Sequence, residues 1–186
     1  MKIHPNIKDY IKSYDFLTED ICKDMINFFS LLDWGRHSYY AYELNQNISY
    51  DDDLYVNDSK TYYNLFIEKR LHEYIAKYIA DINYPWFDKW NGYTNPRFNK
   101  YPEGTNMKIH IDHIHSIFDG RFKGIPTLTC LGFLNEDFEG GDFYLCGKKF
   151  PTKTGQLIIF PSNLMYPHEV KTVTKGIRYS FVSWVW

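Results

Sequence analysis

The stretch TLTCLGFLNEDFEGGDFYLCGKKF, residues 127–150, contains three short apolar runs that are separated by turn-forming residues. Aliphatic and aromatic side chains fill the runs, and the pairs Gly140-Gly141 and Cys146-Gly147 lie between them. Strands favour side chains of this kind, whereas turns favour glycine. The stretch therefore predicts consecutive antiparallel strands that are joined by tight turns.

The same pattern extends over the second half of the chain, from Arg97 to Trp186. Apolar or alternating runs recur there about every ten residues. Eight runs centre on residues 98–101, 107–115, 127–134, 143–145, 148–150, 156–160, 167–173 and 177–186. Eight strands of this kind are typical of a jelly roll. We therefore expect a mainly β fold, a double-stranded β-helix.

The first half of the chain predicts two helices. Thr18 is followed by two acidic residues, which is typical of a helix start, and this helix is expected to end near Trp34. Apolar residues recur every three or four positions over 62–82, which predicts an amphipathic helix. Residues 36–60 are polar and indicate a loop with one short strand around Tyr40. We expect the N-terminal helices to pack on one sheet of the jelly roll.

The chain length of 186 residues suits a single domain with one continuous core. We expect residues 1–96 to form a helical and loop N-terminal part of this domain. Residues 97–186 are expected to form its jelly-roll catalytic core.

Charge and composition exclude several classes of protein. The formal net charge is −2, and no run of basic residues is dense enough to indicate nucleic-acid binding. An apolar stretch of about 18 residues, which a membrane span needs, does not occur, and the N-terminus lacks a signal-peptide pattern. The three cysteines are widely spaced and form no CxxC pair, which favours reduced thiols. We therefore expect a cytoplasmic protein without membrane or nucleic-acid partners.

The segment His110–His115 contains three histidines and one aspartate. Side chains alternate between the two faces of a strand, so His110 and Asp112 are expected on one face. Met107, His113 and His115 are expected on the other face. Two interpretations follow: either His110 and Asp112 bind a metal, or His113 and His115 bind it while His110 merely packs.

Two residues near the C-terminus favour the first interpretation. His168 begins a late strand that a jelly roll can bring next to an early one. Together with His110 and Asp112 it supplies two imidazoles and one carboxylate, the ligand type of non-haem Fe(II) oxygenases. Arg178 lies ten residues further on, in a β-branched and aromatic strand. Its planar guanidinium can pair with a carboxylate in an apolar pocket.

Three stretches of the second half carry a family resemblance. They are RFNKYPEGTNMKIHID (97–112), TCLGFLNEDFEGGDFYL (129–145) and FPSNLMYPHEVKTVTKGIRYSFVSWVW (160–186). Together they resemble the Fe(II)/2-oxoglutarate-dependent dioxygenases, specifically the small prolyl 4-hydroxylase-like branch. The resemblance covers about half of the chain, from Arg97 to Trp186.

The resemblance implies roles for individual residues. Fe(II) would be bound by His110, Asp112 and His168. The C5 carboxylate of 2-oxoglutarate would pair with Arg178.

Three further residues have roles that the resemblance implies. Tyr101 and Thr129 would add hydrogen bonds to 2-oxoglutarate, although Thr127 has the same strand parity as Thr129. Trp184 lies where this branch places an indole near the substrate, and core packing is the alternative. The chain departs from the branch at Met107, where many members have tyrosine, and at Phe143, where threonine is frequent.

The resemblance also implies a reaction. With O2 as oxidant, 2-oxoglutarate would be converted to succinate and CO2 while an unactivated C–H bond of the substrate is hydroxylated. A peptidyl proline is one candidate substrate, and a free amino acid or other small molecule is an alternative. A third hypothesis is a non-catalytic jelly-roll module that binds a metal. A cupin-like metalloenzyme that does not use 2-oxoglutarate is disfavoured by Arg178.

Overall fold

The structure is a computed structural model that describes residues 6–41, 43–83, 92–112 and 124–186. A 3₁₀ helix spans Ile7–Tyr10, and two α-helices follow it. None of the described helices has the length and apolar composition that a bilayer-spanning helix needs.

Helix α1 spans Glu19–Ser30, and its start agrees with the prediction. The hydroxyl of Thr18 accepts a hydrogen bond from the backbone N–H of Ile21, so Thr18 is the N-cap. The helix ends before the predicted Trp34, because the indole of Trp34 folds back and donates to the carbonyl of Phe29 at 2.9 Å. A side chain thus satisfies a carbonyl that another helical turn would have used.

Helix α2 spans Tyr62–Ile82, as the periodicity of its apolar residues predicts. Thr61 and Asn64 form a reciprocal capping box at its start. Asn83 ends it in the left-handed conformation, with φ at 51°.

The described residues also form fifteen strands, which we number in chain order. The strands are β1 (Lys12–Asp15), β2 (Gly35–Arg36), β3 (Tyr39–Ala41), β4 (Gln46–Ile48), β5 (Tyr55–Asn57), β6 (Arg97–Tyr101), β7 (Met107–His110), β8 (Leu128–Phe133), β9 (Glu139–Gly140), β10 (Phe143–Leu145), β11 (Lys148–Lys149), β12 (Gln156–Pro161), β13 (His168–Val170), β14 (Val173–Lys175) and β15 (Arg178–Val185).

Two antiparallel sheets form the body of the molecule. The larger has seven strands in the order β1-β12-β8-β15-β6-β5-β2, and the smaller has four in the order β11-β10-β13-β7. The eight runs predicted from the sequence are β6, β7, β8, β10, β11, β12, β13 and β15, and each sheet takes four of them. The predicted jelly roll is therefore confirmed.

Several strands of the first half were not predicted. β3 is the expected short strand around Tyr40, and it pairs with β4. β1 extends the large sheet at β12, while β5 and β2 extend it at β6. These short segments gain their partners from an existing sheet edge, so their own sequences carry little alternation to reveal them.

The large sheet has a hydrophobic core on each face. The helix-side core lies between the large sheet and the two helices, and it contains Met25, Phe29, Ile67, Leu71, Phe98, Cys130, Ile159 and Phe181. The cavity-side core lies between the two sheets, and it contains Tyr101, Leu131, Phe133, Phe143, Ile158, Val170, Val182 and Trp184. The expected packing of the helices on one sheet is confirmed.

Candidate metal centre and cavity

Two neighbouring strands of the small sheet bring His110 and His168 together. The two residues are direct partners across β7 and β13, and their ring centroids lie 4.3 Å apart. Asp112 follows β7, with its Oδ1 atom 3.8 Å from Nε2 of His110 and its Oδ2 atom 3.6 Å from Nε2 of His168. One potential ligand atom from each residue lies within 4.8 Å of the others. Three donors thus surround one point.

The orientation of both imidazoles is set by backbone carbonyls. Nδ1 of His110 donates to the carbonyl of Lys108 at 2.7 Å, and Nδ1 of His168 donates to that of Tyr166 at 3.1 Å. Because Nδ1 carries the proton that these bonds require, the lone pair of each neutral ring lies on Nε2. Each Nε2 faces Asp112, so the hydrogen bonds prepare both rings to bind a cation at the shared point.

Asp112 is held by a second pair of side chains. Oγ1 of Thr129 donates to Oδ2 of Asp112 at 2.5 Å, and the same hydroxyl lies 2.7 Å from Oγ of Ser162. All three residues are buried. The hydrogen-bonded chain therefore fixes the direction in which the carboxylate points.

Electrostatic interactions favour one anionic and two imidazole donors. Burial by itself would raise the pKa of Asp112, but His168, His110 and hydrogen bonding hold it well below its ordinary value. Burial and the neighbouring His168 lower the pKa of His110 to about 4. Burial opposes protonation of His168 as well, but the carboxylate of Asp112 prevails and raises the pKa of that imidazole. A divalent cation would take the place of this proton.

One prediction about this strand is wrong. Met107 was expected on the face opposite to His110, yet both residues line the same cavity. The pairing explains the difference, because His110 faces His168 whereas Met107 faces Val170, so β7 has one more residue than β13 over this interval. This β-bulge resets the alternation.

Arg178 lies on β15, opposite Tyr101 on β6. Its side chain is almost fully buried, with the guanidinium 4.8 Å from the ring centroid of Tyr101 and 5.5 Å from that of Phe133. Nη1 donates to Oγ of Ser180 at 3.3 Å, whereas Nη2 has no hydrogen-bond partner within the described part of the chain. A buried guanidinium without a counter-ion is costly, so this one is suited to an anionic ligand.

A cavity of about 400 Å³, its open mouth included, lies between the two sheets. The seven residues to which the family resemblance assigns a role line it, namely Tyr101, His110, Asp112, Thr129, His168, Arg178 and Trp184. Thr127 is exposed and precedes β8. Of the two threonines considered, the structure therefore brings Thr129 to the cavity, where its proton is used on Asp112.

Sequence reasoning missed two further polar residues of the cavity, Arg97 and Asn99. Both have the same strand parity as Tyr101 on β6, so alternation could have revealed them once Tyr101 was selected. The alternative ligands His113 and His115 lie outside the described residues.

Comparison with known families identifies similar sequences. The family model of the 2OG-Fe(II) oxygenase superfamily matches residues 96–186. A PKHD-type hydroxylase of Acinetobacter baumannii is 32% identical over 99 residues, which cover 48% of this chain and 42% of the relative. A PKHD-type hydroxylase of Aliarcobacter butzleri is 35% identical over 102 residues, which cover 50% of this chain and 42% of the relative. The chain thus spans less than half the length of these curated relatives.

Solved structures share the fold over nearly the whole chain. A prolyl hydroxylase from Trichoplax adhaerens, in complex with a hypoxia inducible factor peptide fragment, has a TM-score of 0.69 at 20% identity. The superposition covers 96% of this chain and 84% of the prolyl hydroxylase chain. The viral collagen prolyl hydroxylase of Paramecium bursaria Chlorella virus-1, in complex with 2-oxoglutarate, has a TM-score of 0.65 at 17% identity and covers 95% of both chains. The predicted family resemblance and double-stranded β-helix are confirmed.

Proposed function

Residues 96–186 belong to the 2OG-Fe(II) oxygenase superfamily, and on this premise we propose that the protein is an Fe(II)- and 2-oxoglutarate-dependent dioxygenase. Its reaction would hydroxylate an unactivated C–H bond and release succinate and CO2. One observation carries the proposal: a cluster of two imidazoles and a carboxylate shares a single cavity with the buried, incompletely paired guanidinium of Arg178.

The donor set fits a ferrous ion. His110, Asp112 and His168 would occupy one face of an octahedron and leave three positions open. When bound there, Fe(II) with 2-oxoglutarate would supply the activation of O2, of which one oxygen atom enters succinate and the other enters the substrate. The tasks of the protein would be to hold the ligands in place, to orient the two organic molecules and to exclude water.

Arg178 would bind the C5 carboxylate of 2-oxoglutarate. Its free Nη2 and its Nη1, which now donates to Ser180, can together meet two carboxylate oxygens. The rings of Tyr101 and Phe133 flank the guanidinium and keep water away from it. Tyr101 would also add a hydrogen bond to 2-oxoglutarate.

Thr129 and Trp184 would act at the other groups of the reaction. Thr129 would hold Asp112 in the orientation that iron needs. A hydrogen bond donated by its hydroxyl to 2-oxoglutarate, for which the proton must turn away from Asp112, is a further part of the proposal. Trp184 would contact the substrate, since its indole lines the cavity.

A peptidyl proline is one candidate substrate, and the similarity of fold to the prolyl hydroxylases supports it. A free amino acid or another small molecule is the alternative.

The proposal is tested by measuring succinate formation from 2-oxoglutarate in the presence of O2. Formation should require Fe(II), should rise when proline peptides or amino acids that are substrates are added, and should disappear in His110→Ala and His168→Ala. Normal succinate formation in either variant would refute the ligand assignment. Tight metal binding without any binding of 2-oxoglutarate would instead support a non-catalytic jelly-roll module.

Two broader proposals accompany the function. We propose that residues 1–186 act as one domain, with residues 1–96 supporting the jelly roll of residues 97–186. We also propose a reducing compartment, the cytoplasm, which is supported by three free cysteines, Cys22, Cys130 and Cys146.

A further inference from the structure

A second arginine lines the same cavity. Arg97 lies at the start of β6 and is partly buried, and burial lowers the pKa of its guanidinium. Its Nε donates to Oδ1 of Asn99 at 3.2 Å, and its guanidinium carbon lies 5.0 Å from the ring centroid of Trp184. It forms no ion pair with any residue that the structure describes. Asp58 raises the pKa of Arg97 from a distance, but no described carboxylate lies within ion-pair distance, so Arg97 is a second cation of this cavity without a direct counter-ion.

The register of the large sheet separates Arg97 from the 2-oxoglutarate end of the cavity. Along the pair β6 and β15, Tyr101 faces Arg178, whereas Arg97 faces Val182. Four residues of strand correspond to about 13 Å, so the two arginines start from distant points on one sheet face. Both arginines nevertheless line the same cavity as His110, Asp112 and His168.

Comparison with Arg36 shows what a structural arginine looks like in this chain. Nη1 of Arg36 donates to the carbonyls of Tyr50 and Asp51, and its Nη2 donates to the hydroxyl of Tyr55. Arg36 therefore uses both ends of its guanidinium on fixed acceptors. Arg97, in contrast, bonds only through Nε to a described residue, and its two Nη groups are left for a ligand.

Trp184 offers another unused donor beside Arg97. Its indole Nε1 is buried and has no hydrogen-bond partner among the described residues. Buried donors are rarely left unpaired in folded proteins. The guanidinium of Arg97 and the indole of Trp184 together form a polar end of the cavity, which we call the Arg97 site.

We propose that the Arg97 site binds a carboxylate of the substrate and thereby selects substrates that have a free carboxylate near the C–H bond to be hydroxylated. This inference rests on the proposed function, since it takes 2-oxoglutarate to occupy the Arg178 end. A planar guanidinium matches a carboxylate with two parallel hydrogen bonds, and in a partly dehydrated cavity such a pair is strong. The carboxylate comes from a free amino acid or from the C-terminus of a short peptide.

Binding to the Fe(II) and 2-oxoglutarate complex tests the inference without turnover. The complex is prepared without O2 and titrated calorimetrically with two sets of probes, the twenty L-amino acids and short peptides ending in them. Each probe is supplied as the free acid and as the C-terminal amide. We expect at least one acid to bind about 10- to 100-fold more tightly than its amide, the range for hydrogen bonds to a charged group.

Three variants assign that preference to Arg97. Arg97→Gln should reduce the preference for the acid to about twofold or less, and Arg97→Lys should keep part of it, because the charge remains while the paired hydrogen bonds are lost. Lys100→Gln is the matched control. Lys100 lies on the same strand but faces Trp34, with Nζ 5.7 Å from that ring, so this variant should behave as the wild type.

Separate readouts distinguish failure of this inference from failure of the proposed function. Fe(II) and 2-oxoglutarate together produce a visible absorption band when both bind at one site, and its formation in the wild type and in Arg97→Gln checks the premise. With the band present, equal binding of acids and amides, or no binding of any acid, overturns the inference alone. Weaker 2-oxoglutarate binding in Arg97→Gln would also overturn it, since Arg97 would then serve the cosubstrate. Absence of the band in the wild type would overturn both proposals.

Discussion

The two faces of the large sheet differ in what they bury. On β15, Tyr179 and Phe181 enter the helix-side core, whereas Arg178, Val182 and Trp184 line the cavity. The first face is closed by aromatic and aliphatic side chains from α1 and α2. The second contains two arginines that form no ion pair with any described residue. One strand can therefore serve stability with alternate residues and ligand binding with the others, because its side chains alternate between the faces.

Ionisable groups behave differently on the two faces. On the helix side, burial raises the pKa of Cys22 to about 11 and also raises that of Tyr78, so both stay neutral at physiological pH. On the cavity side, Asp112 stays charged, and its charge raises the pKa of His168. Buried charge is thus concentrated on the side where ligands are expected, at a cost in stability that the helix-side core offsets.

The cavity side is tested with His168→Ala, which should have the largest effect on function. Removal of one of three protein ligands should abolish iron-dependent succinate formation, whereas the metal-free protein should still unfold cooperatively, at a lower midpoint because Asp112 loses a buried partner. His72→Ala, at an exposed position of α2, is the control and should retain full activity. A half-active His168→Ala protein would contradict the assignment.

The helix side is tested with Phe181→Ala. Phe181 is fully buried, and its ring lies 5.8 Å from that of Phe16 and 6.2 Å from that of Phe98. The cavity left by truncation should lower the free energy of unfolding by about 3–5 kcal/mol, as measured by urea denaturation. At a temperature where the variant is folded, its affinity for 2-oxoglutarate should equal that of the wild type.

A second substitution sharpens the test at the same place. A Cβ atom on Gly132 would overlap the ring of Phe181. Gly132→Ala should therefore be strongly destabilising alone but well tolerated in the Phe181→Ala background. Additive losses in the double variant would show that the two residues do not share one space.

Arg178→Ala should weaken the binding of 2-oxoglutarate without lowering the stability of the ligand-free protein. Its loss should weaken 2-oxoglutarate binding by about 10- to 100-fold, the range for hydrogen bonds to a charged group. Stability without ligands should stay constant or increase, because an incompletely paired buried charge is removed. Calorimetric titration and urea denaturation measure the two quantities. An unchanged 2-oxoglutarate requirement would place the cosubstrate elsewhere.

The smallest expected effect concerns pH and His37. Burial, reinforced by the charges of Arg97 and His110, lowers the pKa of His37 to about 3. The unfolded chain binds a proton on this residue below pH of about 6.5, whereas the folded protein does not, so its contribution to stability falls as the pH decreases. The slope from this residue approaches about 1.4 kcal/mol per pH unit well below pH 6.5. His37→Gln should flatten the profile between pH 6.5 and 5 by about 1 kcal/mol per pH unit on average, measured by urea denaturation.

Much of the fold follows from local patterns. Apolar spacing predicted α2 from Tyr62 to Ile82, and alternation between turn residues located all eight jelly-roll strands. β1, β2 and β5 were not found, since their pairing with existing sheet edges depends on residues far away in the chain. The end of α1 was also misplaced, because the indole of Trp34 takes a backbone carbonyl there.

The candidate site also has residues that the sequence predicted and residues that it did not. Residue chemistry and spacing selected His110, Asp112 and His168, whose potential ligand atoms lie within 4.8 Å of one another. Alternation failed at Met107, where a bulge in β7 resets the faces. Alternation was not applied to Arg97, because the sequence does not show which side chains surround this arginine in the folded protein.

The amino-acid sequence by itself determined the strands, the long helix and the types of donor available, because these depend on residues within a few positions of one another. Only the tertiary structure decided which side chains meet in the cavity and which cations there lack an ion pair within the described part of the chain. Those outcomes depend on the register between strands that are distant in the chain, such as β7 with β13 and β6 with β15. No local pattern specifies that register, since it results from the packing of both sheets together.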